Sequence, residues 1–183
     1  MLVHIRDWLI TITEAILLTF FLLVFVAQSF LVEGYSMEPT LQNGERVMVE
    51  KISYRFRAPK RGEIVIIKNP LKRRDIYIKR VVGLPGDSIE VKNGCIFING
   101  VLLDEDYIAE PLNSWYSGNF FVPEGHVFVL GDNRNHSDDS RRIGPIPYND
   151  VVGRVVLVYW PFEKIEILEQ PKALANFETD YTE

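Results

Sequence analysis

Ile89-Glu90-Val91-Lys92-Asn93-Gly94-Cys95-Ile96-Phe97-Ile98-Asn99-Gly100-Val101-Leu102-Leu103 decides the fold class. Asn93-Gly94 and Asn99-Gly100 are each flanked by β-formers. Asn and Gly tolerate the positive φ angles of a type I′ hairpin turn. The stretch therefore predicts a three-strand meander over 89–103. Outward from it the pattern repeats. Short apolar runs at Val47-Met48-Val49, Ile64-Val65-Ile66-Ile67, Ile76 to Val82, Val127 to Leu130 and Val151 to Trp160 are separated by turn signals. No segment after residue 32 carries a long stripe of period 3.6. The expectation is a mostly β domain, a coiled antiparallel sheet of short strands. Residues 104–125 form the longest stretch read as structureless, and loops of that length are often functional.

Composition narrows the function. The chain has 183 residues, 47% apolar and 25% charged, which excludes a disordered or collagen-like chain and leaves room for one domain plus an appendage. Its net charge is −5, and the segment Glu163 to Glu183 holds six acids against two lysines. The body before that tail is nearly neutral, so a general nucleic-acid binder is disfavoured. The single cysteine, Cys95, excludes an internal disulfide framework and a cysteine-based zinc cage. His4, His126 and His136 lie far apart without metal-site spacing, so no metal and no cofactor is expected.

From Ala15 to Val32 the chain runs eighteen residues without a charge. As a helix it would nearly cover a hydrocarbon core of about 30 Å. A cleaved leader would have a shorter apolar core and a small-x-small site after it, and Val32-Glu33-Gly34-Tyr35 is a poor one. The run is read as one retained transmembrane anchor. The expected layout is a tail and anchor over 1–32, a β-rich domain over 33–169 and an acidic tail over 170–183 that looks exposed. Arg6 beside Asp7 on one flank and Arg46, Lys51, Arg55 and Arg57 on the other do not settle the orientation.

Three places can carry chemistry, and each has a plain reading beside a sharp one. Ser36 lies in Gly34-Tyr35-Ser36-Met37-Glu38-Pro39-Thr40, four residues past the apolar run. It is either a turn serine bonding its own backbone or a nucleophile in a fixed turn, which needs a base within reach. Lys79 interrupts the strand Ile76 to Val82, on one face with Tyr77 and Val81. It either snorkels to water or is buried. A buried amine loses its proton near pH of about 7–8 and serves as a general base, which Arg80 cannot do. The segment Gly131 to Arg141 is either a polar loop of Asx turns or a network that rigidifies a site, with Ser137 placed to orient an amine.

Ser36-Met37-Glu38-Pro39-Thr40, Arg61-Gly62-Glu63-Ile64-Val65, Tyr77 to Asp87 and Gly131-Asp132-Asn133-Arg134 through Ser137-Asp138-Asp139-Ser140-Arg141 resemble, in order, the motifs of type I signal peptidases, also called leader peptidases. The similarity runs from the apolar segment to about Pro161. The resemblance implies a membrane-bound serine endopeptidase that removes signal peptides from exported preproteins, cutting after a small residue in an Ala-x-Ala context. It implies Ser36 as nucleophile, Lys79 as general base and Ser137 as the hydroxyl that holds the amine. Asp132, Asp139 and Arg141 match supporting positions. It also implies preproteins and the lipid bilayer as partners, no nucleic acid, and a single-pass protein of the cell membrane with its catalytic domain on the extracytoplasmic side.

The sequence departs from the pattern at Gly34, where some members have a serine whose hydroxyl helps the oxyanion hole. One anchor is read where some members have two. Trp115, Tyr116, Phe120 and Phe121 either dip into the lipid interface or pack beneath a loop. Two other functions fit part of the chain: a self-cleaving Ser–Lys regulator, which lacks a DNA-binding module here, and an anchored β domain that binds exported proteins without cutting them.

Overall fold

The computed structural model describes residues 2–21 and 27–177. In chain order it holds α1 (Leu2–Phe21), β1 (Ala27–Leu31), β2 (Arg46–Glu50), β3 (Ile64–Lys68), β4 (Ile76–Gly83), β5 (Ser88–Lys92), β6 (Cys95–Ile98), β7 (Val101–Leu102), β8 (Gly118–Phe121), β9 (His126–Leu130), α2 (Ser140–Ile143), β10 (Ile146–Pro147), β11 (Val151–Trp160), β12 (Glu166–Ile167) and α3 (Lys172–Asn176). The pairings are antiparallel throughout.

The Asn-Gly turns set the smaller sheet, of order β7-β6-β5-β8. Asn93 and Asn99 adopt φ 54° and 53°, followed by Gly94 and Gly100 at 79° and 84°. These are the left-handed angles that a type I′ turn requires. The larger sheet has the order β1-β2-β11-β3-β4-β9-β10, with β12 also on β11. In β2, Val47 and Val49 point inward while Arg46 faces solvent, the alternation of a half-buried strand. In β3, Ile64 to Ile67 are all buried. Ile64 and Ile66 pack with Met37, Leu41, Val47 and Val155, whereas Val65 and Ile67 pack with Val81, Val129 and Ile146 on the opposite face. Each such side chain contributes about 1.5–3 kcal/mol of burial. This doubly covered strand makes a firm bed for its neighbour β4, on which Val65 pairs with Lys79 and Ile64 with Arg80.

Three expectations are corrected. The apolar run 15–32 is not one helix. Its first part lies in α1, residues 22–26 fall outside the described residues, and Ala27–Leu31 is a strand paired residue by residue with β2. Gln28 and Ser29 explain the change. Gln28 accepts from Lys51 Nζ at 3.1 Å, and Ser29 Oγ lies 2.6 Å from the Tyr159 hydroxyl, so both polar groups gain partners beside the sheet. Among the described residues no helix is long and apolar enough to cross a membrane. Helix α1 carries Arg6, Asp7 and Glu14.

The second correction concerns 104–125. It holds β8, paired to β5, and buries Leu112 and Val122. Phe120 packs at 5.0 Å on Phe128 of the core, and Tyr116 is half-buried, whereas Trp115 and Phe121 are 78% and 65% exposed. The third concerns the tail, expected to be exposed from Gln170 onward. Helix α3 instead sinks Leu174 into the core with Ile89, Val91 and Leu130, and Phe177 follows it beneath the Arg61 guanidinium at 5.2 Å.

Candidate active site

The turn that carries Ser36 is pinned by its apolar neighbours. Met37 and Leu41 are buried in the core of the larger sheet, and the Leu41 N–H donates to the Met37 carbonyl at 2.9 Å. Gly34 supplies the positive φ, 92°, that lets the chain leave β1 and fold over. Its N–H is taken by Asn43 Oδ1 at 2.9 Å. Ser36 is thereby held half-buried above β4.

Lys79 comes up from β4 to meet it. Its Nζ donates to Ser36 Oγ at 2.8 Å and to its neighbour's carbonyl, Ile78 O, at 2.9 Å. Only 3% of Lys79 is exposed, and the Tyr77 ring lies 5.3 Å from the amine. Burial pushes the amine down to about 8, against the upward pull of Asp139, Asp138 and Asp132. The buried reading of Lys79 therefore holds over the snorkelling one. In its neutral form the same 2.8 Å contact lets the nitrogen lone pair accept the Ser36 proton.

Gly131 lies between Ser36 and Ser137. A Cβ there would fall on both Ser137 Oγ and the Ser36 carbonyl oxygen, and 2.7 Å from Ser137 Cβ. Ser137 is thus beside the site, but the bond expected between its hydroxyl and the amine is not made. Lys79 donates to Ser36 and Ile78, and Ser137 Oγ is buried without a partner among the described residues.

The acidic and basic residues of 131–141 form the frame of the loop. Asp132 accepts from Arg80 Nε at 2.9 Å and Nη2 at 2.6 Å, and from Thr40 Oγ1 at 2.6 Å, so it ties β4 to the far end of the serine turn. Asp139 takes the Gly131 N–H at 3.1 Å and Arg141 at 2.8 and 2.7 Å. Arg141 Nη2 also donates to the Arg134 carbonyl at 2.7 Å.

Sequence reasoning set Arg80 aside and passed over Arg134 and Glu105. Arg80 is 2% exposed, and Arg134 donates to Glu105 at 2.6 Å and to the Gly131 carbonyl at 3.0 Å. Burial opposes the charge on Arg134, but Glu105, Tyr107 and Asp132 together outweigh it and hold the pKa above the ordinary arginine value. The signal for Arg80 was its place in β4, since Ile78 and Val82 share its face. Nothing in sequence pattern marks Glu105.

Two cavities meet at the Ser36–Lys79 pair. One, of about 600 Å³, is walled by Trp115, Tyr116, Asn135, His136 and Arg142. The other, of about 300 Å³, is walled by Phe30, Val32, Met37, Ile76 and Ile78. An extended peptide laid across the pair would enter both. Neither histidine of the body reaches the serine: His126 Nδ1 lies 2.9 Å from the Glu124 carbonyl and His136 Nδ1 3.2 Å from Asn133 Oδ1.

Residues 5–160 match the family described as signal peptidase, peptidase S26. The chain is 44% identical over 164 residues to Probable signal peptidase I-2 of Synechocystis sp., covering 86% of this chain and 74% of that one. It is 34% identical over 187 residues to Signal peptidase IB of Staphylococcus aureus, covering 93% and 97%. A crystal structure of a signal peptidase I from Enterococcus faecalis V583 aligns with a TM-score of 0.48 at 34% identity, covering 54% of this chain and 97% of that one.

Proposed function

The chain belongs to the signal peptidase family, peptidase S26, whose members remove signal peptides as serine proteases, and from that premise we propose that Ser36 is its nucleophile and Lys79 its general base. The observation that carries the proposal is the 2.8 Å contact between a buried amine and a hydroxyl in a fixed turn. A serine hydroxyl is a weak nucleophile and needs a base at that range. A lysine serves only when it sheds its proton near neutrality, and burial lowers this one to about 8.

In the proposed reaction, neutral Lys79 takes the Ser36 proton as Oγ attacks the scissile carbonyl. The Ser36 N–H stabilises the oxyanion. As the C–N bond breaks, Lys79 returns the proton to the leaving amine and an acyl-enzyme remains. Lys79 then activates a water that hydrolyses the ester. Asp132, Asp139 and Arg141 act as supports that hold the loop 131–141 against the turn. Ser137 borders the site across Gly131 and makes no bond to the amine in this arrangement, so it would support Lys79 only by turning its unpartnered hydroxyl toward it.

The proposed substrates are secretory preproteins cut after a small residue. The 300 Å³ cavity of Phe30, Val32, Met37 and Ile78 suits short apolar side chains. The apolar sequence ahead of β1 is proposed to hold the protein to a membrane as a single anchor, with the β domain on the extracytoplasmic side. In support, Trp8, Ile16 and Phe20 of α1 are all exposed. Incubating the purified protein with a preprotein tests the assignment. Ser36→Ala and Lys79→Ala should each abolish cleavage with folding intact, and His126→Ala and His136→Ala should retain it. Full turnover in either of the first two defeats the dyad.

A further inference from the structure

We propose that Asn133 is a positioning residue that aims the Ser36 N–H at the developing oxyanion. The inference rests on Ser36 being the nucleophile and concerns how its own peptide is oriented.

Asn133 grips the backbone on both sides of the serine. Its Nδ2 donates to the Tyr35 carbonyl at 3.1 Å, and its backbone N–H donates to the Ser36 carbonyl at 3.0 Å. The Tyr35–Ser36 peptide is trans, since the cis bonds fall at Glu38-Pro39 and Trp160-Pro161. In a trans unit the carbonyl and the following N–H lie in one plane and point in opposite directions. Holding the Tyr35 oxygen therefore fixes the direction of the Ser36 N–H. The Glu38 N–H reaches the same oxygen from the turn at 3.2 Å, so two donors set the plane. No described residue accepts from the Ser36 N–H, which leaves it free for a substrate oxygen.

The orientation of the Asn133 amide is itself determined. His136 Nδ1 lies 3.2 Å from Oδ1, and the His136 N–H donates to the Asn133 carbonyl at 3.1 Å. Turning the amide over would face its oxygen to the Tyr35 oxygen, and that repulsion selects the orientation whichever ring nitrogen of His136 carries the proton. Gly34 contributes no side-chain donor, so the burden on this backbone N–H is larger. Asn133 touches neither reacting atom and acts through the peptide of Ser36.

Steady-state cleavage of a preprotein by Asn133→Ala and Asn133→Leu tests this. The leucine keeps the volume without the amide. Both should lower kcat by about 10- to 100-fold, since a lost oxyanion donor costs up to ~10²–10³. KM should stay within about threefold, and the acid limb of the rate profile should not move, because no bond to Lys79 is altered. A peptide aldehyde with a small terminal side chain gives a second readout that needs no turnover. Ser36 Oγ adds to its carbonyl carbon and the proton ends on the hemiacetal oxygen, which sits where the oxyanion would. Its affinity should fall in parallel with kcat, while the matching peptide amide binds as to wild type. Unchanged kcat and unchanged aldehyde affinity in both variants, beside an inactive Ser36→Ala, overturn this inference alone. A shifted acid limb would overturn it too, placing the effect on Lys79. Cleavage by Ser36→Ala would remove the nucleophile and this inference together.

Discussion

Arg80 clasps both carboxylate oxygens of Asp132, Nε to Oδ1 at 2.9 Å and Nη2 to Oδ2 at 2.6 Å, in a pair almost wholly withdrawn from solvent. The guanidinium also donates to the Gly62 carbonyl at 3.0 Å and lies 4.7 Å over the Tyr107 ring. One residue earlier on the same strand, Lys79 meets Ser36. Strand β4 thus directs one cation to the proposed reaction and the next to the loop that frames it.

Breaking that clasp should be costly. Arg80→Met leaves the Asp132 carboxylate buried with Thr40 as its remaining side-chain partner. Loss of one member of a buried pair costs about 3–5 kcal/mol. Urea unfolding should show this loss, and cleavage should fall with it as the loop loosens from the serine turn. Asp132→Asn combined with Arg80→Met removes the orphaned charge and should recover part of the stability but not the activity.

The rate of cleavage should rise with pH through about 8. Burial is what lowers the Lys79 amine, and the deprotonated form is the proposed base. Below that point the neutral fraction drops tenfold per pH unit. A single-turnover profile measures the limb directly. An onset only near pH of about 10, the ordinary lysine value, would contradict a dry amine.

Stability should run against activity at the same residue. Lys79 has a pKa near 8 in the folded chain and about 10.4 unfolded. Below pH 8 both states carry the proton, and the folded state bears the full cost of the buried charge. Between the two values the unfolded chain binds more protons, so wild-type stability rises with pH across that window. Lys79→Met removes the cost. It should unfold about 1–3 kcal/mol later than wild type at pH 7, allowing for two lost hydrogen bonds, and the advantage should shrink above pH 10. Denaturant titrations at pH 7 and pH 10 make the comparison.

The β architecture was legible where local chemistry dictates it. Asn93-Gly94 and Asn99-Gly100 admit few backbones, and the runs at 64–67 and 76–82 are too short for helices. β1 was not legible, because Ala27 to Leu31 continues an apolar run and only its pairing to β2 separates it from what precedes. β8 was hidden for a similar reason: Gly118-Asn119-Phe120-Phe121 has little pattern of its own and is a strand because β5 offers an edge. The meeting of Ser36 and Lys79 was expected from family motifs; nothing local brings together residues 43 apart. Asn133 and Glu105 act through carbonyls and a distant arginine, and such roles leave no periodicity in a sequence.

Gly131 offers the sharpest steric test of the site. A methyl group there collides on one side with the Ser137 hydroxyl and on the other with the Ser36 carbonyl oxygen. The first obstacle is a side chain and the second is backbone of the serine turn. Gly131→Ala should therefore destabilise by about 1–3 kcal/mol, the usual range for overpacking, and push Ser36 off its contact with Lys79. Cleavage should drop far more than a simple stability loss predicts. The single variant Ser137→Ala deletes a buried hydroxyl that has no partner, so it should not lower the melting temperature. Added to Gly131→Ala, it removes only the clash with the hydroxyl, since the Cβ that alanine keeps at 137 still lies 2.7 Å from the new methyl. The double variant should regain only a small part of the stability while cleavage stays low, because the Ser137 Cβ and the Ser36 carbonyl are still displaced. Recovery of both together would place the whole effect on Ser137 and none on the backbone of the serine turn.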